Sequence, residues 1–258
     1  MPLNFQPATL DNLLNGEFGI AILPTDSLLT NTERLSILDI LSKTPFTFEY
    51  EPYPPCWGKA FENYLSMREY LAPEPNDDLI ASLCKPINEK IVQLLTAKGI
   101  QVETLEDPTY QKTYTQADFR VNPVPANLTM LHVDDIRLDG SIKPDFVLPS
   151  ALAKDDYVQL SVLIQLDDPN PVAKALRIYD KKYTSSDDKY RLENGWQFSD
   201  ESVAGHNFID YQPQIGEAFI MPNQYFHDIL GGASDTNWTM YSLFILYTKE
   251  TNKAYIYI

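Results

Sequence analysis

The sequence predicts a mainly β protein with flanking helices, on three observations. Beyond about residue 105 the apolar residues recur with period two; clusters of Pro, Gly, Asn and Asp separate these runs; and before residue 105 the rhythm is helical. Several short strands with turn signals and no intervening helices indicate an antiparallel sandwich or barrel. The expected organisation is one domain over residues 1–258, with residues 1–105 mainly helical and packed outside a β core formed by residues 106–258.

In chain order, residues 18–23 form a short apolar run closed by Pro24, which predicts a buried strand. Residues 32–42 place Leu35, Ile37, Leu38 and Leu41 at helical spacing, and residues 58–70 repeat the pattern with Phe61, Tyr64, Leu65 and Met67. The longest helical stretch, 77–98, carries Leu79, Ile80, Leu83, Ile87, Ile91, Leu94 and Leu95. Asp77 and Asp78 suit its N-terminus, Lys98-Gly99 its end, and Pro86 predicts a kink or a split. Strands are expected at 112–121, 128–133, 157–166, 175–179, 218–221, 239–247 and 254–258, with polar residues 183–202 as a long loop or insertion.

Composition narrows the function. Against 20 Lys and Arg stand 36 Asp and Glu, a formal net charge of −16. Such a chain repels phosphate backbones and anionic lipid, which argues against nucleic-acid and membrane partners. Two cysteines, Cys56 and Cys84, are too few for a disulfide framework or a structural zinc site and suggest a reducing, cytoplasmic setting. The first residues show neither a basic segment nor a continuous apolar one, so no secretory signal is expected. A small molecule is the expected partner; nothing in the sequence bears on oligomeric state.

Histidine is scarce: His132, His206 and His227 are the only three. On an extended chain, residues i and i+2 share a face, so His132 and Asp134 can converge on one metal ion while Val133 faces away. A second histidine from a distant strand would complete a two-His, one-carboxylate triad and leave three positions on Fe(II) for a bidentate co-substrate and O₂. The dyad alone is a weak signal. His227 supplies context, because it follows a Gly216-Glu217 turn, an apolar run ending in Pro222 and a short connection. The competing reading makes both histidines satisfied polar residues of a β core. His206 reads as a surface or lid residue, Asp135 as a solvated or hydrogen-bonded acid, and Trp196 and Trp238 as core or pocket wall.

With these residues in view, the region 112–258 resembles the Fe(II)- and 2-oxoglutarate-dependent oxygenases, built on a double-stranded β-helix, or jelly roll. Within that superfamily, residues 113–120, 132–134, 176–180, 216–227 and 247–255 are similar to the carrier-independent halogenases of hapalindole-type alkaloids and their hydroxylase relatives. The resemblance implies that His132, Asp134 and His227 hold iron, with no catalytic residue beyond these ligands. In the halogenases the carboxylate position is Gly or Ala, which frees a site for halide. Asp134 occupies it here, so the resemblance implies oxygenation, most simply hydroxylation of an unactivated C–H bond in a small molecule or natural-product intermediate.

The co-substrate requires a cation for its far carboxylate, and Arg offers the bidentate geometry. Many members place that Arg on the strand after the distal histidine, but residues 228–242 contain no Arg or Lys. Arg120, which matches an Arg of the related halogenases, is the first candidate and Arg177 the second; Thr239 and Ser242 are candidates for hydroxyl hydrogen bonds. Two alternatives stand beside hydroxylation. The same site can serve desaturation, cyclisation or epoxidation, or the chain can be a metal-binding, cupin-like jelly roll that does not use 2-oxoglutarate.

Overall fold

The computed structural model describes residues 2–47, 55–59, 64, 66–114, 117–122, 131–136, 147, 152, 157–167, 175–193, 195–230 and 238–257. They form a mostly β structure of one large and one small, almost wholly antiparallel sheet and a separate two-stranded hairpin, with the longer helices on one face of the large sheet.

The large sheet is built on two 11-residue strands, β7 (Tyr157–Asp167) and β12 (Trp238–Thr248), which pair antiparallel along nearly their whole length. β10 (Ala218–Pro222) pairs with the other edge of β7, and β1 (Ala21–Ile22) with β10. The far edge of β12 is shared. Its first half pairs with β6 (Asp118–Asn122), and its second half with β13 (Lys253–Tyr257). β2 (Cys56–Trp57) adds to β6, and β3 (Gln101–Thr104) runs parallel to β13. Gly58 explains the close fit of β2. At φ +104° it would set a Cβ 3.1 Å from both Asp118 and Ile80, so only glycine lets this segment lie flat against the strand carrying Arg120. β4 (Glu106–Asp107) and β5 (Lys112–Thr113) make a separate small hairpin. The small sheet has β8 (Ala175–Lys182) between β9 (Phe208–Tyr211) and β11 (Tyr225–Leu230).

Helices cover one face of the large sheet: α1 (Leu10–Leu14), α2 (Asn31–Leu41) and α4 (Asp77–Thr96). Thr9 and Thr30 close the first two with capping boxes. Ile80, Cys84, Ile87, Ile91 and Leu95 form the buried stripe of α4. They pack against Leu160, Val162, Ile164, Leu243 and Ile245. This packing corrects one expectation: Pro86 does not split α4. One backbone hydrogen bond is lost at proline, and burial of a stripe running along five turns outweighs it.

Other expectations shift in detail. The predicted helix at 58–70 is helical only as α3 (Met67–Tyr70), capped by Ser66; residues 60–63 and 65 lie outside the described ones. The strand expected at 112–121 is divided between β5 and β6. Of the strand expected at 128–133, residues 128–130 lie outside the described ones, and His132 makes isolated bridges to His227 and Gln197. The insertion after β8 holds two 3-10 turns, Ser185–Tyr190 and Asp200–Val203. No helix among the described residues is long and apolar enough to cross a membrane.

Strand alternation assigns the other face of the large sheet to the space between the sheets. Phe219, Met221, Trp238 and Met240 meet Leu176, Ile178 and Ile209 of the small sheet there. Among these apolar residues lie buried polar ones: Gln159, Ser161 and Gln165 on β7, Ser242 on β12 and Asp118 on β6. A strand buried on both faces has no packing reason to carry polar groups on one of them. This inter-sheet face is where a polar ligand fits.

Candidate metal centre

The site is built from a backbone contact. His132 and His227 exchange both main-chain hydrogen bonds, N–H to O=C at 2.9 Å each way, so their side chains project side by side. Along β11, His227 pairs with Ile178, an inter-sheet residue, which points its imidazole inward. Val133 is buried on the opposite side with Leu131, Phe198 and Phe226, as alternation requires, leaving His132 and Asp134 on the face of His227.

One nitrogen from each histidine and one Asp134 oxygen all lie within 4.8 Å of one another. Asp134 Oδ2 is 3.4 Å from His227 Nε2, and Oδ1 is 3.9 Å from His132 Nε2. His227 Nδ1 lies 2.9 Å from the Tyr225 carbonyl oxygen. A carbonyl only accepts, so the proton resides on Nδ1 when the ring is neutral, and Nε2 presents its lone pair to the centre. Two imidazoles and a carboxylate suit a divalent transition metal such as Fe(II) in type and number.

The electrostatics keep Asp134 ionised. Burial by itself raises the Asp134 carboxyl. The hydrogen bond from His227 and the charges of His132, His227 and Arg120 outweigh it and hold the group at about 2. Burial lowers the His227 imidazole, but Asp134 and the Tyr225 carbonyl outweigh that and raise it.

A polar clasp fixes the carboxylate-bearing segment. Asp134 N–H donates to the Asn223 carbonyl at 3.1 Å, and Ile136 N–H donates to Gln159 Oε1 at 2.9 Å. Asp135, buried beside the ligand, accepts from the Tyr157 hydroxyl at 2.7 Å and from Gln224 Nε2 at 3.2 Å. The hydrogen-bonded reading of Asp135 therefore holds. Trp196 sets its ring edge-on to His132, centroids 5.5 Å apart, and is held there by the backbone bridge between His132 and Gln197. It is a wall of the site. His206 sits beside Asp180 at 3.2 Å and is not one of the three clustered ligands.

The four co-substrate candidates separate. Arg120 pairs with Met240 in register and so faces the inter-sheet space, where it meets Asp118 at 2.9 Å and the Phe244 ring at 5.9 Å. Ser242 shares that face. Arg177 does not converge on the triad. It pairs in register with Asp228, one residue out of phase with His227, and points outward into a two-point ion pair with Asp210 over the Phe208 ring. Thr239 pairs with Val121, a residue of the helix-side core, and turns away as well. Both positions differ from Arg120 in parity: one step along a strand changes the face.

Tyr157, Gln159, Asn223 and Gln224 are not singled out by the sequence, whereas Trp196 stands as the pocket wall that its sequence reading allows. A partial signal existed in the period-two polar residues Gln159, Ser161 and Gln165 inside an otherwise apolar strand.

No family model matches the chain, and no curated protein matches it. Solved structures do. An N-substituted L-amino acid dioxygenase from Burkholderia ambifaria, in complex with alpha-KG, is 16% identical with a TM-score of 0.58, covering 96% of this chain and 89% of that one. The non-heme alpha ketoglutarate dependent carbocyclase SnoK from nogalamycin biosynthesis is 13% identical with a TM-score of 0.52 over 96% and 89% of the two chains. An oxidoreductase of the 2OG-Fe(II) oxygenase family from Burkholderia pseudomallei is 11% identical with a TM-score of 0.51 over 95% and 93%. The chain has the fold of the Fe(II)- and 2-oxoglutarate-dependent oxygenases.

Proposed function

We propose that this chain is a single-domain, mononuclear non-haem Fe(II)- and 2-oxoglutarate-dependent oxygenase that hydroxylates an unactivated C–H bond of a small molecule in the cytoplasm. The observation that carries the reading is the convergence of His132, Asp134 and His227 on the inter-sheet face of a fold shared with such oxygenases. Under this reading the two sheets are the halves of a double-stranded β-helix.

When bound, iron, 2-oxoglutarate and O₂ together supply oxidative decarboxylation coupled to C–H oxidation. The protein's own part is placement. His132, Asp134 and His227 would hold the metal, with the Tyr225 carbonyl aiming His227 Nε2. The Asn223 carbonyl and the Asp135 clasp keep Asp134 on the same side as the imidazoles. Arg120, the cation on the inter-sheet face of β6, would receive the far carboxylate of 2-oxoglutarate, with Ser242 offering a hydroxyl on that face. Trp196 would bound the substrate space and help keep water out. Desaturation, cyclisation and epoxidation use the same constellation and differ in how the substrate is held.

One observation favours a second reading. Arg120 is already engaged with Asp118, as it would be in a cupin-like metal protein that does not use 2-oxoglutarate. The test is conversion of 2-oxoglutarate to succinate by the purified chain with Fe(II), ascorbate and O₂ and no added substrate. Succinate formation that disappears in His132→Ala supports the oxygenase. Tight Fe(II) binding without succinate selects the second reading.

A further inference from the structure

Asn223 lies at the turn between β10 and β11, and it is fully buried. Its main chain is spent. The N–H donates to the Gln159 carbonyl at 2.9 Å, and the carbonyl accepts from Asp134 at 3.1 Å. Its side chain is not: both Nδ2 and Oδ1 are buried and neither has a hydrogen-bond partner. Alternation from Phe219 and Met221 continues through the bond to Gln159 and puts this carboxamide on the inter-sheet face, the face on which Asp134 projects. A buried carboxamide with two unmade hydrogen bonds is destabilising, and native interiors leave few such groups without a reason.

The chemistry of the triad supplies one. The Asp134 carboxylate faces the Nε2 atoms of both histidines, 3.9 Å from that of His132 and 3.4 Å from that of His227. Once those nitrogens serve as ligands they no longer donate. A carboxylate that binds a metal through one oxygen leaves the other to accept a hydrogen bond, and second-sphere donors to such oxygens set ligand orientation and metal affinity. Asn223 is joined to Asp134 through the backbone and holds an unused N–H₂ on the same face.

We propose that Asn223 is a positioning residue of the metal centre. Its Nδ2 donates to the Asp134 oxygen that does not bind the metal and keeps Asp134 a one-oxygen ligand. This rests on the metal reading of the triad.

The test uses Co(II) as the probe on the full chain. Calorimetry gives its affinity and visible absorption its coordination signature, and thermal melting without metal gives stability. Asn223→Leu replaces both unsatisfied polar atoms by methyl groups on the same branched skeleton. The expected result is a metal-free Tm equal to or above that of the parent, with Co(II) bound about tenfold more weakly and an altered visible spectrum. A merely structural asparagine would not move the two quantities in opposite directions. Parent-like affinity and spectrum in Asn223→Leu would overturn the proposal. Should that variant not fold, Asn223→Ala is read by the rise in Tm that Co(II) produces: a smaller rise than in the parent supports the role, and an equal rise overturns it. His132→Ala separates the two levels. If it binds Co(II) like the parent, the metal reading itself fails. If only it loses Co(II), the failure belongs to Asn223 alone.

Discussion

His132 and His227 stand 95 residues apart in sequence, yet they form a closed backbone pair, each amide donating to the other's carbonyl at 2.9 Å, with ring centroids 4.3 Å apart. The ladder bonds fix where the two Cβ atoms sit, so imidazole placement does not depend on long side chains finding each other. Preorganisation of this kind lowers the ordering cost of metal capture.

The first prediction follows directly. His132→Ala or His227→Ala leaves two ligands, too few to hold Fe(II) against water, so both metal binding and succinate formation should be lost. The backbone pair survives either substitution, and the fold should survive with it. Circular dichroism beside an iron-binding assay checks both halves. Normal turnover in either variant would remove the metal assignment.

Arg120 and Arg177 should behave oppositely toward 2-oxoglutarate. Arg120→Ala should raise the apparent KM for 2-oxoglutarate steeply, by an amount on the order of 2 to 5 kcal/mol, and also lower stability, because Asp118 loses its ion-pair partner. Arg120→Lys should recover only part, since a point charge lacks the guanidinium fork. Arg177→Ala removes an outward ion pair with Asp210 and should leave the KM unchanged. The reverse pattern in steady-state assays would place the anchor on β8.

Trp196 offers an optical report. It lies edge-on to a proposed ligand, 5.5 Å from His132 between centroids. Titration with Co(II), whose unfilled d shell quenches nearby indoles, should dim the emission. In Trp196→Phe most of that quenching should vanish while the affinity stays close to the parent's. Undiminished quenching in the variant would mean that the metal binds elsewhere.

Acid should weaken the insertion that carries Trp196. Asp187 is buried at the base of that segment, 2.6 Å from Lys181 Nζ, and it also accepts from Thr184 N–H at 2.9 Å. Burial raises its carboxyl, while Lys181 and Thr184 outweigh that and hold it below the ordinary range. A group lowered on folding adds stability that is fully present above its unfolded value, about 3.9, and is lost as the pH falls through the folded one. Asp187→Asn should therefore cost about 1 to 3 kcal/mol at pH 7 and progressively less toward pH 3. Urea unfolding at the two pH values measures this; a pH-independent difference would contradict it.

Much of this protein was legible in its sequence because the signals are local. The period change near residue 105 separates the helical layer from most of the strands, and the buried stripe of α4 is written at helical spacing. The His132-Val133-Asp134 pattern states that two side chains share a face, since alternation acts over two residues. Register and parity between distant strands are not local, and these only the tertiary structure decided. Arg120, Arg177 and Thr239 look equivalent as polar residues on strands, yet their partners Met240, Asp228 and Val121 send the first inward and the other two away. The clasp on Asp134 is likewise absent from any sequence window, because Tyr157, Gln159, Asn223 and Gln224 meet residues 134–136 only after β7 and β10 have paired. Short-range sterics determine which way a side chain points along its own strand, whereas hydrogen-bond pairing across the sheet determines what it points at.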